Sequence, residues 1–184
     1  ETDEDMLPIF SKMEAGFHRY IRGNHDNPAK VKTDATYIHD GMRENGCMFI
    51  GGAYSIDRGF RTEGVDYWSD EECSWEEMDS FIKSYESNPP KIMVTHDCPE
   101  SVARKLFNWY TEESSGSTTR NALQSMLDIN SPSLWVFGHW HEARDTTING
   151  TRFICLPELA YIDIDDSDLS KGHIVEYRNI KRFW

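Results

Sequence analysis

A chain of 184 residues with 38% hydrophobic and 12% aromatic residues is long enough for one domain with a buried core and too apolar for disorder. A formal net charge of −13 argues against nucleic-acid binding, which needs clustered Lys and Arg. There is no apolar run of roughly 18 residues that would span a membrane. Cys47, Cys73, Cys98 and Cys155 form no C-x-x-C pair, which argues against a zinc ribbon and for free thiols in a reducing, cytoplasmic setting.

Apolar residues at Met6, Leu7, Phe10 and Met13 predict a helix over 6–14. Residues 17–21 read as a strand that ends at Arg22-Gly23-Asn24-His25-Asp26-Asn27-Pro28, a stretch rich in turn formers. Residues 47–53 predict a second strand. Ser74 with Glu77 forms a capping box, which opens a helix to about Ser87 with Trp75, Met78, Phe81, Ile82 and Tyr85 on one face. Pro89-Pro90 stops it. A buried-type strand follows over 91–95, then a helix from Pro99 to about Asn108, a flexible polar stretch over 114–119 and a helix over 121–129. Residues 134–137 predict another buried-type strand. Residues 146–148 and 151–156 flank Asn149-Gly150, a strong hairpin signal that outweighs the glycosylation sequon starting at Asn149. A last strand is expected over 172–177. Strands alternate with helices early and hairpin strands come late, so the class is α/β with a mixed sheet system, one domain over 1–184. The acidic runs 1–5, 70–79 and 163–168 read as solvated faces.

Three predicted strands end in histidine-bearing loops: Asn24-His25-Asp26, His96-Asp97, and Gly138-His139-Trp140-His141. Ligand sites in open α/β sheets lie beyond the carboxyl ends of strands, so parallel neighbours would gather these side chains at one edge. Imidazole and carbonyl oxygen suit zinc, iron, manganese or nickel. His18, His39 and His173 lack partner motifs and read as structural.

GNHD, then a strand ending in His, then GHWH, in that order, resembles the calcineurin-like metallophosphoesterases. The stretch 51–58, with Arg61-Thr62 and Tyr67-Trp68, looks like small bacterial and phage members, and the resemblance covers roughly residues 6–160. It implies an αββα metallophosphatase-type sandwich and a dinuclear phosphoesterase with two divalent metal ions, manganese first and iron, zinc or nickel as alternatives. Asn24, His96 and His139 would ligate one ion and His141 the other. His25 would face the substrate as acid or charge stabiliser, and Asp26 would orient it. The substrate would be a phosphate-ester small molecule or a phosphorylated substrate; GNHD in place of GNHE leans away from phosphoprotein phosphatases.

Two earlier family motifs, D-x-H and G-D-x-x-(D/N), do not occur in this sequence, so the domain is expected to be N-terminally incomplete and to lack its first strand or strands. The alternative function is a truncated, non-catalytic relative that acts as a binding scaffold, with Tyr67, Trp68, Trp109 and Tyr110 as an aromatic surface. A calcium loop at 163–174 is rejected, since Asp168 and Ile174 stand where Gly and Glu are required. The sequence carries no signal for oligomeric state.

Overall fold

Four short apolar runs form the parallel centre of a sheet. In this computed structural model, which describes residues 18–108, 116–165 and 167–176, they are β2 (Cys47–Ile50), β3 (Ile92–Thr95), β4 (Leu134–Phe137) and β6 (Thr151–Cys155). The edges are antiparallel: β1 (Arg43–Glu44) on β2, and β5 (Arg144–Ile148) on β6. The order is β1-β2-β3-β4-β6-β5, with Ile92 opposite Leu134 and Leu134 opposite Arg152. Two short strands, β7 (Ala160–Tyr161) and β8 (Val175–Glu176), make a second sheet.

All four residues of β4 are buried, as a strand covered on both faces requires. On one face Met48, Ile50, Met93, Trp135, Phe137 and Phe153 pack against helices. On the other, Leu134, Val136 and Ile154 meet Ile162, Ile164, Leu169 and Ile174 from the C-terminal segment. The described helices are α1 (Pro28–Val31), α2 (Trp75–Ser87), α3 (Glu100–Leu106) and α4 (Thr118–Ile129), with a 3-10 turn at Arg58–Phe60. Among the described residues no helix is long and apolar enough to cross a membrane. The class is the mixed α/β arrangement expected from the sequence.

Local chemistry explains most boundaries. The Ser74 hydroxyl accepts the Glu77 amide and the Glu77 carboxylate accepts the Ser74 amide, a complete capping box. Asn149 and Gly150 take φ of 49° and 89°, the left-handed pair of a tight hairpin turn between β5 and β6. Three expectations change. Residues 18–21 form no strand of the sheet: Tyr20 makes one isolated bridge with Tyr37, because this polar segment offers no apolar pair to bury on two faces. Phe17 and the helix expected over 6–14 lie outside the described residues. Trp75 is 59% exposed, since the first turn of α2 precedes the part that packs on the sheet. Helix α4 starts three residues early, because the Glu72 carboxylate accepts both the Ser117 hydroxyl (2.6 Å) and the Thr119 amide (2.9 Å) and orders that stretch from across the chain.

Candidate functional site

The site grows from the carboxyl ends of β3 and β4. His96 directly follows β3 and donates its amide to the Ile50 carbonyl at 3.0 Å, while Gly138 after β4 donates to the His96 carbonyl at 3.1 Å. The Asn24 loop reaches the same edge without being a strand. The Gly52 amide donates to the Arg22 carbonyl at 2.9 Å, and the buried Arg22 guanidinium is clamped by Asp40 at 2.8 Å and the Glu71 carbonyl at 2.6 Å. Gly23 lets the loop lie against His96: a Cβ there would stand 3.1 Å from the His96 ring.

Asn24, His96 and His139 come together. His96 Nε2 and Asn24 Oδ1 are 3.0 Å apart, and the His96 and His139 rings meet edge-on with centroids 5.2 Å apart. Burial, reinforced by the neighbouring His139, pushes the His96 pKa down to about 3, and burial also lowers that of His139. Both rings therefore stay neutral, the form that binds a metal. His25 is exposed, and its Nε2 accepts from Asn24 Nδ2 at 3.2 Å and from Arg61 Nη2 at 3.3 Å. The Asp26 carboxylate accepts the Gly23 amide at 2.6 Å and so closes the loop on itself. His141 lies further out, with its side chain 58% exposed and Nδ1 2.5 Å from Glu158 Oε1.

The His139-Trp140-His141 segment is anchored by its centre. Trp140 stacks on Phe107 at 4.2 Å and donates its indole N–H to Asp97 at 2.9 Å. His139 and His141, at φ of 66° and 54°, both occupy the left-handed region that side chains resist. The buried tryptophan between them holds the strained turn and sends the two imidazoles to different surroundings. Asp97 is fully buried and also accepts the Arg120 Nε–H at 2.7 Å; its carboxylate lies 3.9 Å from His139 Nε2. Burial opposes its ionisation, but the neighbouring His139 ring, the Arg120 charge and the hydrogen bonds from Arg120 and the Cys98 amide outweigh burial and hold the carboxyl below its ordinary range.

Sequence reasoning passed over Ser55, Arg61, Glu71, Asp97, Arg120 and Glu158 as site residues. Asp97 adjoins His96, and Ser55 and Arg61 sit in stretches already marked as family-like, so those three carried a signal. Glu71 reaches Asn24, through Ser55, only in the folded chain.

The donors fit one divalent ion in part. An amide oxygen and an imidazole nitrogen about 3 Å apart are spaced as neighbours in a shell with bonds of about 2.1 Å. Among the described residues no three of His, Cys, Asp or Glu are grouped to hold a metal; of Asn24, His96 and His139 only the two histidines belong to that set.

The calcineurin-like phosphoesterase family profile matches residues 6–143, three quarters of the chain. No curated protein matches it significantly. The match covers the loops that carry Asn24, His96, His139 and His141, and with this mixed sheet and the four described helices the chain belongs to the calcineurin-like phosphoesterase family, whose members are in general metal-dependent phosphoesterases.

Proposed function

We propose that this protein hydrolyses a phosphate ester of a small molecule or phosphorylated substrate at a dinuclear centre, with manganese as the first-choice metal and iron, zinc or nickel as alternatives. The carrying observation is the convergence of Asn24, His96 and His139, neutral donors at one sheet edge, beneath an exposed His25. Asn24, His96 and His139 would hold one ion and His141 would contribute to the second. Bound divalent ions supply Lewis acidity that lowers the pKa of water and offsets charge on a phosphoryl group.

The chain's own residues then have separable tasks. Arg61, tethered to Asp57 at 2.6 Å, places a guanidinium 3.3 Å from the His25 ring, where a phosphoryl oxygen can be received by both. His25 stands where it can pass a proton to the departing oxygen. Its Nε2 faces two N–H donors, so carrying that proton requires both Arg61 and Asn24 to release it, and an arriving phosphate would draw Arg61 away. Asp26 keeps the loop folded so that Asn24 points in while His25 points out. The buried thiols of Cys73, Cys98 and Cys155 support a cytoplasmic setting as part of this proposal.

The test is elemental analysis after manganese loading and desalting, followed by a screen of phosphomonoesters and diesters. Two ions per chain with turnover supports the reading. One ion with turnover replaces the dinuclear centre by a mononuclear one. Zero ions without turnover refutes the enzyme and leaves the scaffold.

A further inference from the structure

Asn24 can present either end of its amide to His96, and only the oxygen end can ligate a metal. We propose that Ser55 and Glu71 are positioning residues that fix this choice through a one-directional hydrogen-bond relay; the metal-binding consequence rests on the reading above, the orientation itself does not.

The relay starts at Glu71, which is 2% exposed. Its Oε1 accepts the Ser55 amide at 2.8 Å and its Oε2 accepts the Ser55 hydroxyl at 2.6 Å. Burial raises the Glu71 pKa, against the pull of the two hydrogen bonds from Ser55; in its ionised form the carboxylate only accepts, so the single hydroxyl proton is committed to Glu71. The Ser55 oxygen is left with lone pairs facing Asn24, whose Nδ2 donates to it at 2.9 Å. The second Nδ2 proton goes to His25 Nε2 at 3.2 Å. With both protons used, Oδ1 must face His96, where it is found at 3.0 Å. A flipped amide would set Oδ1 against the lone pairs of Ser55. Water does little to rescue that clash, because Asn24 is 5% and Ser55 1% exposed.

Glu71→Gln keeps the size of the side chain and removes the direction. A glutamine amide can donate to the Ser55 hydroxyl, which frees that proton for Asn24 and lets either end face His96. The experiment uses the full chain, 15N-labelled, in wild-type, Glu71→Gln and Ser55→Ala forms, with the Asn24 side-chain NH2 pair assigned by its loss in Asn24→Asp. Two readouts are taken: the shifts and solvent exchange of that NH2 pair without metal, and the manganese affinity by calorimetry. Expected are a displaced, faster-exchanging NH2 pair and manganese binding weakened by about 10–100-fold, the usual effect of losing a partner behind a ligand. Thermal midpoints check that both variants fold; Ser55→Ala decides if Glu71→Gln does not. An NH2 pair unmoved in every folded variant overturns the relay, whatever the metal does. A displaced pair in a protein whose wild type binds no manganese keeps the relay and overturns the metal reading. A displaced pair with manganese affinity within twofold of wild type keeps the orientation and removes its role in metal binding.

Discussion

Asp97→Asn is the most demanding perturbation this fold offers. The carboxylate is buried, accepts from Arg120, Trp140 and the Cys98 amide, and faces Arg120, whose side chain is 1% exposed. Asparagine is nearly isosteric, so no cavity forms; what goes is the charge opposite a buried guanidinium. Breaking such a pair from one side costs about 3–5 kcal/mol, far more than a surface pair, since the remaining ion stays desolvated. That is a large part of the roughly 5–15 kcal/mol that stabilises a typical domain. At about 2–4 °C per kcal/mol for this size, the midpoint should drop by roughly 6–20 °C. The assay is urea and thermal denaturation of wild type, Asp97→Asn, Arg120→Met and the double variant. The double variant should recover much of the loss, because it removes both ions together. A single-variant loss below about 1 kcal/mol would refute the argument that this pair is a desolvated ion pair.

Further outcomes follow from the site and its support. His25→Ala should lower turnover by about 10²–10⁴-fold with metal content retained, as expected for a proton donor; loss of metal would make His25 a ligand. His96→Ala should lower metal occupancy, and unchanged occupancy by elemental analysis removes it from the metal site. Gly52→Ala should cost more than about 1 kcal/mol, because φ is +74° and the added Cβ would sit 2.3 Å from the Glu71 carbonyl oxygen; an unshifted urea midpoint would show that the turn relaxes. For pH, burial holds His96 neutral down to about 3 in the fold, against about 6.5 when unfolded. The unfolded chain takes the proton first, so metal-free protein should lose stability as pH falls from about 6.5 toward 3. Urea midpoints at about pH 7.5 and 5.5 test this. His96→Gln should shrink the drop, and an equal drop in both proteins would assign it to other groups.

Legibility in the sequence followed the range of the interaction. The α2 capping box, the β5–β6 hairpin and the runs of β2, β3, β4 and β6 could be read directly because each depends on residues within a few positions of one another. The three His-bearing motifs could be located, and with them the family, because short loops after apolar runs keep their spacing. Other features needed the tertiary structure. Residues 18–21 look like a strand locally, yet the sheet gives them no place between two neighbours. Residues 117–119 look flexible until Glu72, distant in sequence, accepts the Ser117 hydroxyl and the Thr119 amide beside the Ser117 cap. Asn24 is legible as a donor, but which end of its amide points inward is set by Ser55 and Glu71, 31 and 16 positions apart along the relay. Sequence by itself determined the composition of the fold and the residue types at its candidate site. Only the folded chain decided their direction, because hydrogen-bond polarity and burial are properties of neighbours that the backbone brings together from far apart.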